Sequence, residues 1–170
     1  DGAHGGLRTT GLTTPDAAQL QFELAQLGEQ GARALAIEAS SIGLHQGRLN
    51  GMHFDVAVFT NFTRDHLDYH GDMASYEAAK RILFDWPGLK HAVINLDDPT
   101  GRRLVEYLSA RTPSVQILGY SINGHSLPGV ATLRATDVRA QNAGTAFRLE
   151  SLFGSATVRT QLVGLFNVSN

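Results

Sequence analysis

The chain has 170 residues, 42% of them hydrophobic and 18% charged, which is enough for one globular domain with its own core. A formal net charge of -2 gives no basis for attraction to nucleic acid or to an anionic membrane, and with no cysteine, disulfides and thiolate zinc sites are excluded. No stretch is apolar for long enough to span a bilayer, and the absence of cysteine fits a cytosolic protein.

In chain order, residues 1–12 (DGAHGGLRTTGL) are rich in Gly and Thr and read as a loop. TTPDAAQLQFELAQLGEQG predicts a helix with Thr14 as N-cap, Pro15 at the first helical position and Asp16 in the first turn. Leu20, Leu24 and Leu27 give that helix one apolar face, and Gly31 is placed to end it. ALAIEA (34–39), DVAVFT (55–60) and HAVINL (91–96) are short apolar runs with helical patterns between and after them, the signature of a parallel sheet covered on both faces. One of those helices is expected over 73–85, where Met73, Tyr76, Leu83 and Phe84 share an arc that also contains Lys80. From residue 114 the texture changes to partly alternating runs, VQILGY, ATLRATDVRAQ, TAFRLESL and SATVRTQLV, separated by Gly, Asn and Ser. The expected organisation is an α/β core over 1–113, an antiparallel sub-sheet over 114–165 and the start of a further element at 166–170.

Polar residues collect where each apolar run ends, and in open α/β sheets ligands bind beyond the carboxyl ends of the strands. The first run leads into Glu38, Ser40 and Ser41, the second into Thr60, Asn61, Asp65, His66, Asp68 and His70, and the third into Asn95, Asp97 and Asp98. Taken singly, Ser40, Ser41 and Asp97 read as helix caps. His66 and His70 share a face if helical, and with Asp65 or Asp68 the spacing fits a divalent-ion site and a capped surface turn equally well. A carboxylate at the end of a buried strand, as expected for Glu38, needs a cation, a strong donor or a raised pKa. Lys80 either snorkels from its apolar arc to water or reaches the pocket of the acidic cluster just before it. It is one of two lysines, with Lys90, and neither stands in a G-x-x-x-x-G-K-[ST] string, so these residues hold no Walker A loop.

TTPDAAQLQ, EASSIGLHQGRL, FTNFTRDHLDYHGDMASYEAAK, INLDDP and the terminal GLFNVSN together resemble the Mur ligases, and most closely the branch that adds the third amino acid of the peptide. The matches run in family order along nearly the whole chain, strongest over 13–100, and TRDHLDYHG followed by YEAAK is highly specific. The resemblance implies the family's central domain and an ATP-dependent ligase of peptidoglycan precursor synthesis. Such an enzyme joins the side-chain carboxylate of D-glutamate in UDP-MurNAc-L-Ala-D-Glu to the amine of meso-diaminopimelate or L-lysine. ATP first converts the carboxylate to an acyl phosphate, which the amine then attacks. It also implies two Mg²⁺ ions that clamp the phosphoryl oxygens. Glu38 and His66 match magnesium-associated positions, and Lys80 matches the lysine that takes up carbon dioxide as a carbamate and becomes an oxygen ligand. Thr13, Thr14, Ser40, Gln46 and Arg48 match positions that grip the UDP-MurNAc-dipeptide. Asn167 and Asn170 lie in an element near the nucleotide, with Asn95 and Asp98 beside it.

Two positions depart from the usual family pattern: Ile42 stands where His is frequent and Leu12 where Asn is frequent. Folylpolyglutamate synthetases share the general plan and match these strings less well. A metal-dependent hydrolase on Asp65, His66 and His70 and a non-catalytic binding module are the readings from other classes. The resemblance also implies that the phosphate-binding loop and a UDP-binding domain precede residue 1 and that an amino-acid-selecting domain follows residue 170. The 170-residue chain by itself is therefore predicted to have no ligase activity, because the amides and lysine that cradle phosphates are not among its residues. Phosphate release on mixing the purified chain with ATP, UDP-dipeptide and diamino acid tests this, and any measurable turnover refutes it.

Overall fold

The computed structural model describes residues 11–169 and resolves into two compact units. The first contains residues up to His53 together with Arg64–Leu83, and the second contains Phe54–Thr63 and the chain from Phe84 onward. The boundary expected at 113/114 thus falls inside the second unit. Of the loop expected over 1–12, residues 1–10 lie outside the described residues.

The first unit is helical. α1 (Ala17–Glu29) starts two residues later than expected: Asp16, not Thr14, is the N-cap, its Oδ1 accepting from the amides of Ala18 and Gln19 at 3.0 Å each. A carboxylate beside the first unpaired N–H groups is the stronger cap, and it leaves the Thr14 side chain free for the interior. Leu20 is buried and Leu24 and Leu27 are half-buried, as the periodicity requires. Gly31, with φ +88, follows the helix end. No strand forms over 34–39. Ala34, Leu35 and Ala36 are exposed, none of the described residues pairs with them in a ladder, and the segment leads straight to Ser40, which caps α2 (Ser41–His45) by accepting from the Gly43 amide at 3.1 Å. α3 (Leu67–His70) is one turn, and α4 (Met73–Arg81) is capped by Asp72, which accepts from Ser75 at 2.7 Å. α4 buries Tyr76 and Ala79 and packs on α2 and α3. It stops at Arg81, short of the expected 85, so Leu83 and Phe84 are not on its arc, and Phe84 belongs to the second unit.

The second unit is a six-stranded sheet in sequence order: β1 (Val56–Phe59), β2 (His91–Asn95), β3 (Gln116–Ser121), β4 (Ala131–Gln141), β5 (Gly144–Ser151) and β6 (Gly154–Thr160). The first three pairings are parallel and the last two antiparallel, which gives the mostly parallel α/β sheet with an antiparallel extension that the sequence leads one to expect. β3, expected in the antiparallel group, instead runs parallel to β2, because α5 (Pro99–Arg111) carries the chain back along the sheet before β3 begins. Ala57 and Phe59 pair with Ala92 and Ile94 on a covered face, while Val56 and Val58 on the opposite face are 48% and 53% exposed. Coverage on both faces therefore does not hold at β1. The chain ends in α6 (Leu165–Ser169).

α5 buries Leu104, Val105 and Leu108 and lies so close to the end of β2 that a Cβ on Gly101 would overlap the Asn95 carbonyl oxygen. The obstacle is backbone and cannot swing away. Gly101→Ala is predicted to destabilise the protein by about 2 kcal/mol or more, as overpacking does, measured as a lower denaturant midpoint at unchanged slope.

Candidate active site

Four of the five expected substrate-binding residues meet in one hydrogen-bonded network of the first unit. The buried Thr14 hydroxyl lies 2.9 Å from the Glu38 carbonyl oxygen and 2.9 Å from Ser40 Oγ, and it accepts from the Ser40 amide at 3.0 Å. Having one proton, it gives it to the carbonyl, which can only accept, so the Ser40 hydroxyl donates to Thr14. Arg48 donates through Nη1 to the Thr14 carbonyl at 2.9 Å and through Nε and Nη2 to Gln46 Oε1 at 2.9 and 2.6 Å. Arg48 and Gln46 are thereby held at the end of α2, with Gln46 exposed. Thr13 is exposed beside this network.

Lys80 is the second focus of this unit. Its Nζ lies 5.3 Å from the centroid of the Tyr76 ring, within range of a cation–π contact. Burial pulls the Lys80 amine below the usual lysine range, while the charges of Glu38 and Asp65 pull it back up. His66 meets the same Tyr76 ring edge-on at 5.9 Å, and His70 stacks on it at 5.3 Å and 24°. Tyr76 thus has Lys80, His66 and His70 around one ring. The expected metal residues Glu38, His66 and Lys80 lie in this unit, with Glu38 within electrostatic reach of Lys80 and His66 sharing its aromatic neighbour. Glu38 is exposed and not at a strand end, so it needs no buried counter-charge. His66 adopts a left-handed backbone, φ 53, with its amide donating to Asp65 Oδ1 at 2.8 Å and its Nε2 3.5 Å from Asp65 Oδ2. Among the described residues no three His, Asp or Glu side chains gather closely enough to hold a metal ion. The spacing of Tyr76 and Lys80, four apart on a helix, is the signal that marks Tyr76 as more than a member of the apolar arc.

In the second unit the polar residues after β2 are turned to the fold. Asn95 Nδ2 donates to the Thr60 carbonyl at 2.7 Å and lies 3.4 Å from Ser169 Oγ, while its Oδ1 accepts from the Asp97 amide. Asp98 caps α5 through Thr100 at 2.7 Å and accepts from the Phe62 amide at 2.6 Å. Asn167 Nδ2 donates to the Val163 carbonyl at 2.8 Å. Asn170 lies outside the described residues. Asp97 accepts from Ser121 Oγ, from the Ile122 and Asn123 amides and from His125 Nδ1. Burial pushes its carboxyl up, but these donors together hold it below the usual carboxylate value. The neighbouring Tyr120 hydroxyl is buried without a partner among the described residues, and burial with the Asp97 and Asp98 charges pushes it up to about 12.

The sequence profile of the Mur ligase middle domain matches residues 2–170. The UDP-N-acetylmuramoyl-L-alanyl-D-glutamate–2,6-diaminopimelate ligase of Janthinobacterium sp. (strain Marseille) is 64% identical over the whole of this chain and 34% of its own length. The ligase of the same name from Ralstonia nicotianae is 55% identical over 96% of this chain and 32% of its own. A solved structure of a ligase of that name superposes with a TM-score of 0.80 at 41% identity, over 91% of this chain and 31% of that one. The chain therefore spans about a third of the length of the curated relatives it matches.

A depressed carboxylate favours the folded state above the unfolded value and loses that contribution as pH falls through the folded one. Asp97 is thus predicted to add stability at neutral pH that disappears below its ordinary value of 3.8. Asp97→Asn should lower the neutral-pH melting temperature and flatten the acid limb of the melting curve. An unchanged acid limb in thermal melts between pH 6 and pH 3 would count against it, a pH range set about one to two units around a carboxylate value.

Proposed function

We propose, for a chain that belongs to the Mur ligase family and carries its middle domain, that the protein it comes from is an ATP-dependent ligase adding 2,6-diaminopimelate to UDP-MurNAc-L-Ala-D-Glu. The diamino acid is taken from the printed names of the relatives, since the residues of this chain do not distinguish it from L-lysine. The observation that carries the reading is the setting of Lys80, a partly buried amine over an aromatic ring and in the field of two carboxylates.

The neutral Lys80 amine attacks carbon dioxide, a nitrogen–carbon bond forms, and one nitrogen proton passes to water, leaving an anionic carbamate. That change suits the place, because a buried ammonium is disfavoured and the carbamate adds two oxygen donors to Glu38 and His66. With the carbamate the donor set is mostly hard oxygen and fits Mg²⁺. When bound there, Mg²⁺ would offset the repulsion between phosphate oxygens and the substrate carboxylate. Arg48, braced by Gln46 and the Thr14 carbonyl, presents a planar cation to an anionic part of the UDP-MurNAc-dipeptide, and Thr13, Thr14 and Ser40 supply hydroxyls beside it. Asn95, Asp98, Asn167 and Asn170 belong to the nucleotide side. The terminal phosphoryl group of ATP passes to the D-glutamate side-chain carboxylate, giving ADP and an acyl phosphate. The diaminopimelate amine then attacks the acyl carbon, and phosphate leaves as the amide forms.

The protein acts in the cytoplasm, where ATP and the UDP-linked precursors are made, and contributes to peptidoglycan synthesis and so to cell shape and division. In the described residues no helix is long and apolar enough to cross a membrane. In the full-length protein, Lys80→Ala is predicted to lower kcat for dipeptide-dependent phosphate release by about 100-fold or more, the cost of misplacing reacting groups. Arg48→Lys should raise KM for the UDP-dipeptide, since a point charge cannot replace a braced fork. Wild-type turnover by Lys80→Ala, or no ADP formation that depends on both the dipeptide and diaminopimelate, would overturn the reading.

A further inference from the structure

We propose that His70 is a positioning residue for Lys80: stacked on the Tyr76 ring and tethered to Ser41, it fixes the surface against which the lysine amine rests. The inference rests on the reading of Lys80 as the carbamylated residue and adds to it the group that keeps the amine in place.

His70 is the last residue of α3, and its Nε2 lies 2.9 Å from Ser41 Oγ, the first residue of α2. Its ring is nearly parallel to that of Tyr76 in α4 at 5.3 Å, whereas the other rings around it meet edge-on. One imidazole therefore joins the three helices α2, α3 and α4. It is braced from behind: Tyr69 packs on it at 4.8 Å, and the Tyr69 hydroxyl is 3.0 Å from His45 Nδ1, with the His45 ring 6.1 Å from His70. Tyr76 is 4% exposed, so its ring can change tilt only if a neighbour moves, and His70 is the neighbour laid flat on it. Lys80 stands one helical turn further along α4 with its Nζ over that same ring. A long flexible amine beside a ring of fixed tilt has fewer conformations to lose on becoming a carbamate, whereas beside a loose ring it is free to swing to water.

The test uses the full-length protein with ¹³C-labelled bicarbonate, reading the carbamate carbon by NMR, with Lys80→Ala identifying the signal. His70→Ala is expected to reduce the Lys80 carbamate by about fivefold at fixed bicarbonate, the order of the cost of ordering one long flexible side chain. His70→Phe keeps a flat ring on Tyr76 and is expected to stay within about twofold of wild type, as ring stacking does not need the imidazole nitrogens. His70→Asn keeps a group able to bond Ser41 but no ring and is expected to behave like Ala, which also covers the case of an unfolded Ala variant. Thermal melts run alongside: a purely structural role would lower the melting temperature of all variants without separating Phe from Asn. A carbamate signal in His70→Asn equal to wild type overturns the proposal and leaves the ligase reading standing. No Lys80 carbamate in the wild type overturns the reading of Lys80 and this inference with it.

Discussion

Backbone groups at the end of a buried parallel strand must find partners, and the second unit meets that requirement at one place, the carboxyl end of β2. Asn95 holds the Thr60 carbonyl just after β1, Asp98 holds the Phe62 amide and starts α5, and Asp97 gathers the amides that follow β3. Three side chains within four residues thereby fasten the exits of both neighbouring strands. The Asp97 anchor also explains how β4 returns parallel to β3 through the short loop 122–130 without a helix: a carboxylate that collects successive N–H groups fixes the first half of the turn. Residues that sequence logic nominates for a nucleotide are thus engaged in the fold, and a ligand meets what remains of their hydrogen-bonding capacity.

The first unit solves a different problem. Its hydroxyls form a chain in which every donor has a defined acceptor, Thr14 to Glu38, Ser40 to Thr14 and the Gly43 amide to Ser40. Its lysine does not share that satisfaction. Burial opposes the Lys80 charge while Glu38 and Asp65 support it, so the amine is held between two opposing influences.

Much of this was legible in the sequence. The runs that became β1 and β2 are continuous and apolar, and their strand ends fall within one residue of the expected ones. β4, β5 and β6 followed from alternation broken by Gly and Asn. ALAIEA forms no strand because an apolar run says nothing about whether a ladder partner exists, and among the described residues Leu35, 48% exposed, has none. Thr14 was misassigned as a cap because Thr and Asp both suit that position, and only the tertiary structure shows that the Thr14 hydroxyl has a partner 24 residues away. In the site, the candidate residues around α2 and α4 came from motif matching and the four-residue step from Tyr76 to Lys80 is legible along α4, whereas the approach of His66 and His70 to the Tyr76 ring depends on how α3 packs on α4.

His66 places one more demand on the chain. Its φ of 53 lies where a side chain costs about 1–2 kcal/mol and where Gly, Asn and Asp are the comfortable occupants. Any replacement that relieves the backbone discards the ring next to Tyr76, and any bulky aromatic that keeps a ring there deepens the strain. A side chain at this position therefore answers to two unrelated demands at once, the turn of the backbone and the fit against Tyr76, even though it is only partly covered.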